Sequence, residues 1–173
     1  MRLVKGFLVV IIGFFVLITL ISLLIPSTVI TVKSVNIHAQ QKIIVAAIHD
    51  LKQWQQWHPV FMPENTVQVS EPSSGPNAKM QWLHNGKNHD ITIIKTYPEG
   101  IQFQLNSNGE SVETYLSALP MQEPNTYQVE WKAITKLKWY PWEKFGGIFI
   151  PEMTGPGYEQ ALNGLKKYAE TGQ

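Results

Sequence analysis

The chain has 173 residues, 44% apolar and 16% charged, with 14 Lys+Arg against 13 Asp+Glu and no Cys. That length allows one ordinary domain plus an appendage, and the balanced charge gives no electrostatic footprint for nucleic acid, which needs a basic face. The absence of Cys excludes disulfides, thiolate zinc sites, haem thioether attachment and a cysteine nucleophile.

The first element is an uncharged run from Gly6 to Ile25, GFLVVIIGFFVLITLISLLI. As a helix it reaches about 30 Å, the thickness of a bilayer's hydrocarbon. Its hydroxyls, Thr19 and Ser22, can bond back to backbone carbonyls, and Pro26 stops the helix. Arg2 and Lys5 precede the run, and the next charge is Lys33. The positive-inside bias then keeps the N-terminus in the cytoplasm and carries the rest to the periplasmic or extracellular side. The run is long for a signal-peptide core of roughly 7–15 residues, and the exit SLLIPST lacks a small-x-small cleavage site. The expected organisation is an uncleaved single-pass anchor over 1–27 and one domain over 28–173.

The β-branched segment 28–39 reads as a strand. In 40–51, Ile43, Ile44, Ala47, Ile48 and Leu51 fall on one helical stripe. Asp50 is placed to cap a second short helix carrying Trp54 and Trp57, which Pro59 ends. Strands follow at 66–70, 78–84 and 88–97, the last two flanking Asn85-Gly86, a strong hairpin signal. Segment 100–106 alternates, with Ile101, Phe103 and Leu105 on one face. Strand 111–119 follows Asn108-Gly109, and 126–134 puts Tyr127, Val129, Trp131 and Ala133 together. Trp142, Phe145, Ile148, Phe149 and Met153 recur at helical spacing, and Gly155-Pro156 is expected to break that helix. Tyr158, Ala161, Leu162, Leu165, Tyr168 and Ala169 form a final stripe.

This order predicts an α+β fold: a curved antiparallel sheet, with one buried and one wetted face, gripping a long C-terminal helix. A single helix does not fill a strongly bent sheet, so a gap is expected between them. Its candidate lining is Trp82, Phe103, Thr114, Tyr115, Tyr127, Trp131, Tyr158 and Leu162.

Three segments carry a family resemblance: the opening VKSVNIHAQQKIIVAAIHDL, the run Asp50-Leu51-x-x-Trp54-x-x-Trp57-x-Pro59, and Gly155-Pro156-x-Tyr158-Glu159-x-x-Leu162-x-x-Leu165. In this order they resemble the helix-grip domains of the SRPBCC superfamily, also called START-like or polyketide cyclase/dehydrase-like, in its membrane-anchored bacterial subgroup. The resemblance covers Thr28 to about Glu170. It departs from the pattern at His38-Ala39-Gln40, where Asn-Ala-Pro is usual. It implies a fold rather than an activity, since the family includes lipid binders, cyclases and co-chaperone-type modules.

Few residues point to chemistry. His84 and His89 flank a turn, but two ligands are too few for a structural zinc, so no metal site is expected. His58 lacks an assignable nucleophile or orienting acid and reads as a helix-terminating histidine. Glu113 and Glu130 fall opposite the apolar face by alternation. Trp54 and Trp57 read as a packing clamp. Trp139, Tyr140 and Trp142, mixed with lysines, suit a membrane interface. No GxSxG, Walker, GxGxxG, HExxH or CxxC motif is present, and no cofactor is expected.

The leading expectation is therefore a membrane-tethered binding module that takes an apolar or amphipathic small molecule, a lipid among the options, into the sheet–helix gap. A few hydroxyls such as Thr114, Tyr115 or Tyr158 would set its orientation. The alternatives are a cyclase- or hydrolase-type enzyme, which needs an inward acid or base, and a structural domain with a packed gap.

Overall fold

A computed structural model describes residues 2–61, 67–84, 86–107 and 109–172. Two-residue periodicity governs its middle, where seven strands form one antiparallel sheet. They are β1 (Thr28–His38), β2 (Val67–Val69), β3 (Lys79–His84), β4 (Lys87–Tyr97), β5 (Gly100–Ser107), β6 (Glu110–Pro120) and β7 (Thr126–Lys136). Their order is β1-β7-β6-β5-β4-β3-β2. Thr114, Leu116 and Ala118 of β6 and Val129, Trp131 and Ala133 of β7 are buried on the inner face. A register shift between Ile93 and Lys95 bends β4 across β5, as an extra residue in one strand does.

Three-residue periodicity supplies the cover. Helix α2 (Gln41–His49) buries Ile44, Ala47 and Ile48. Helix α3 (Trp54–Trp57) buries both tryptophans, and a 3-10 turn, Pro59–Phe61, follows it. After α4 (Pro141–Gly147), α5 (Ile150–Thr171) lies against β1 and buries Ala161, Leu162, Leu165 and Ala169. Gly164 permits the close approach of α5 to α3, because a Cβ there would stand 2.0 Å from the Trp57 carbonyl oxygen. Lys33 on β1 bonds Glu159 on α5, and the His38 N–H donates to Glu170 Oε1 at 2.9 Å. The two elements therefore run side by side in the same direction.

The N-terminal helix α1 (Arg2–Ser22) is long and apolar enough over Leu3–Ser22 to cross a membrane. Thr19 Oγ1 donates to the Phe15 carbonyl at 2.8 Å, and Ser22 Oγ to the Thr19 carbonyl at 2.8 Å, so both hydroxyls are satisfied within the helix.

Several local expectations need correction. Gly155-Pro156 does not break α5. Pro156 removes one main-chain bond and costs about 3 kcal/mol in a helix interior, but the apolar stripe beyond it is buried over three further turns. The division falls instead at Ile148–Phe149, between α4 and α5. The α4 stripe is not core: Trp142, Phe145, Ile148, Phe149 and Met153 are exposed, and so is Ile43 of α2. Asp50 does not cap α3. Its Oδ1 accepts the Lys52 N–H at 3.0 Å, and the cap position is Gln53. Thr66, Asn85 and Asn108 of the expected strand and hairpins lie outside the described residues.

Candidate functional site

The inner face of the sheet and the start of α5 do not meet completely. Between them is a cavity of about 160 Å³ lined by His58, Val60, Phe61, Trp82, Ile91, Phe103, Leu105, Trp131, Gly157 and Tyr158. β3, β4, β5 and β7 each contribute a side chain, the 3-10 turn closes one side, and α5 closes another. The rings interlock: Trp131 stacks on Tyr158 at 5.3 Å between centroids, and Phe61 meets Trp82 edge-on at 4.8 Å. Trp54 stands behind the wall, 5.4 Å from Phe103 and 5.9 Å from Trp131. Such tilted and offset ring pairs are favourable geometries.

His58 closes α3, its N–H donating to the Trp54 carbonyl at 2.8 Å, and its ring joins the aromatic wall 4.6 Å from Phe61. Burial pushes its pKa down to about 3, because a buried imidazolium loses its hydration. Nδ1 accepts the Val60 N–H at 3.3 Å, which assigns the ring proton of the neutral form to Nε2. Burial raises the Tyr158 pKa, partly offset by the Thr154 hydroxyl. The cavity's two titratable groups are thus both neutral at pH 7. Two buried polar atoms on the inner face, Trp131 Nε1 and Thr114 Oγ1, have no hydrogen-bond partner among the described residues.

Of the residues singled out from the sequence, Trp82, Phe103, Trp131 and Tyr158 stand on this wall. Thr114 and Leu162 are buried in the core beyond it, and Tyr127 is half-buried against the core near the start of β7. Tyr115 is on the opposite face. Its hydroxyl donates to Glu113 Oε1 at 2.6 Å, and that bond, with burial and the carboxylate charge behind it, pushes its pKa up to about 12. Gln102 Nε2 donates to the same carboxylate at 2.8 Å, so Glu113 belongs to an outer polar network. Tyr115 shares the parity of Glu113, and this signal places both on the wetted side. His58, Val60, Phe61, Ile91, Leu105 and Gly157 complete the lining. Leu105 was marked by strand parity alone, whereas His58 and Phe61 depend on how the chain turns at Pro59.

His84 and His89 lie 6.2 Å apart, and His89 stacks on Trp82 at 5.3 Å. No cluster of three metal-ligating side chains occurs among the described residues. Three larger depressions, about 420, 410 and 350 Å³, are rimmed by polar groups, including Gln68, Gln81 and Asp90 in the first, Lys87, Asn88 and Asn106 in the second and Glu110 and Lys138 in the third. None of the three is walled mainly by the inner apolar face, so none matches a site for an apolar molecule. Trp139 and Trp142 are 68% and 65% exposed, and Tyr140 stacks on Trp142 at 4.7 Å.

The architecture is shared with solved structures. The chain superposes on DynU16, from the dynemicin biosynthetic locus, with a TM-score of 0.59 and 13% identity, covering 83% of this chain and 48% of DynU16. It therefore spans about half of DynU16. KanY matches with a TM-score of 0.59 and 19% identity over 83% of this chain and 99% of KanY. Truncated norcoclaurine synthase from Thalictrum flavum matches with a TM-score of 0.57 and 11% identity over 81% and 92%. The chain has the helix-grip fold. No family model and no curated protein matches the sequence. At these identities the helix-grip likeness concerns the fold alone, and the activity has to be argued from the site.

Proposed function

We propose that this chain is a membrane-tethered binding module that takes a small apolar molecule into the cavity between α5 and the sheet. The supporting observation is the cavity itself: about 160 Å³, walled almost wholly by carbon, with His58, Phe61, Trp82, Phe103, Trp131 and Tyr158 as its largest faces. A dry cavity of about 150 Å³ accommodates benzene. The favoured ligand is therefore a single ring or a short stretch of hydrocarbon, and burial contributes about 25 cal/mol per Å². A longer lipid chain requires α5 to swing at Gly155-Pro156 or the 136–142 segment to move. In this reading α1 is the anchor, the N-terminus is cytoplasmic, and the domain lies on the periplasmic or extracellular side.

The lining favours binding over acid–base catalysis. A histidine with a pKa near 3 is a weak general base at neutral pH, and no carboxylate joins the described lining. The test is thermal unfolding of the full chain in nanodiscs with toluene, p-cresol, indole and palmitate. Single-ring compounds should raise Tm with concentration, as ligands of the native state do. No shift with any of the four contradicts the proposal.

A further inference from the structure

We propose that α4 and the first turn of α5 form a docking face that lies on the surface of the bilayer that α1 enters. The proposal rests on the reading of α1 as a membrane anchor and adds a second contact to it. Trp139, Trp142, Phe145, Ile148, Phe149 and Met153 are each between 38% and 78% exposed. They fall within fifteen consecutive positions, where a water-facing surface would scatter its apolar residues.

The occupant is argued from the other side of α4. Lys144 is 3% exposed, and its Nζ donates to the Ile25 carbonyl at 2.9 Å and to Ser27 Oγ. The Leu137 N–H donates to the Ser27 carbonyl at 2.8 Å. These bonds bolt the buried side of α4 to the segment leaving α1, where carbonyls released by the helix end attract a cation. The exposed aromatic side is thereby held at the level where the anchor leaves the hydrocarbon. Tryptophan and phenylalanine suit that depth, and a short helix with one apolar face lies in the interface plane. Tethering raises the effective concentration of the patch at the membrane, so weak contacts suffice. Met153 also precedes Gly157 of the cavity lining by one helical turn, about 6 Å along the axis. A ligand dissolved in the bilayer would thus meet the cavity close to the docking face.

The chain has no Cys, so single spin labels can be placed cleanly on the full-length protein in phosphatidylcholine vesicles. The positions are Phe145→Cys, Phe149→Cys and Met153→Cys on the face, Met121→Cys at the far end of the sheet, and Phe14→Cys within α1. Relaxation by oxygen should exceed relaxation by a water-soluble nickel chelate at 14, 145, 149 and 153, with the inverse at 121. If 145, 149 and 153 behave as 121 does while 14 remains in lipid, docking is overturned and the anchor stands. If 14 itself reports water, the anchor reading fails and docking with it. Dipolar broadening at 153, with both relaxants shut out, would assign the face to a second copy of the chain and overturn the bilayer. In the unlabelled protein, brominated lipid should quench Trp emission, and the Trp139→Phe/Trp142→Phe variant should lose that quenching. Quenching that survives the double substitution contradicts the proposal.

Discussion

Two groups of aromatic residues divide the molecule. Trp54, Trp57, Trp82 and Trp131 are at most 8% exposed, whereas Trp139 and Trp142 are mostly in the open. Two of the first group have the polar edge tied inward: Trp54 Nε1 donates to the Ile48 carbonyl at 3.0 Å and Trp57 Nε1 to the Ala47 carbonyl at 3.2 Å. These bonds satisfy carbonyls in the last turn of α2 and tie α3 to α2 behind the cavity wall. The second group fills no part of the core. The same residue type thus holds the fold at one end and is left over for something external at the other.

The widest separation between the groups should appear on truncation. Trp54→Ala should cost about 3–5 kcal/mol in urea unfolding, while Trp142→Ala should stay within about 0.5 kcal/mol. Equal losses would dissolve the distinction. Gly164→Ala probes the buried side by addition. Helix propensity alone favours Ala by about 1 kcal/mol, but the new methyl meets the Trp57 carbonyl oxygen at 2.0 Å, and overpacking of this kind costs about 1–3 kcal/mol. A net gain in Tm would mean that α5 and α3 are not in close contact.

Acid should weaken the buried group selectively. The unfolded chain protonates His58 near pH 6.5 and the folded chain only near 3, so below 6.5 the unfolded state binds the extra proton. This contribution is constant above pH 6.5 and falls by about 1.4 kcal/mol per unit as pH drops toward 3. The slope should be shallower in His58→Leu by that amount; an unchanged slope would place the imidazole in water. The smallest effect should come from the surface. Glu159→Gln breaks the half-exposed contact with Lys33 and should cost at most about 1 kcal/mol, a cost that added salt reduces.

The sheet was legible because alternation is a local property. Thr114, Leu116 and Ala118 reveal their face without reference to any other element, and Gly86 and Gly109, with φ of +71° and +81°, take the left-handed turn conformation that their positions implied. The helices were less legible. Trp142, Phe145 and Phe149 have the spacing of a core stripe, and periodicity cannot tell a face turned to protein from one turned outward. Pro156 signals a break that packing against β1 overrides. In the site, Trp82, Phe103, Trp131 and Tyr158 were accessible from parity and bulk. His58 was not, because its burial depends on the turn after α3 bringing it under α5. Tyr115 was misplaced although its parity with Glu113 pointed outward.

The central claim is that the space beneath α5 accepts a molecule, and Gly157 offers the direct test. It lines the cavity at an exposed position, and a Cβ built on it meets nothing within 4 Å, so Gly157→Leu places bulk at the cavity's rim and improves helix propensity. Calorimetric titration of p-cresol into the full chain in nanodiscs, corrected for empty nanodiscs, should give saturable one-site binding to the native sequence and none to Gly157→Leu at equal or higher Tm. Identical heats from the two proteins, or no saturable heat from either, would contradict the account.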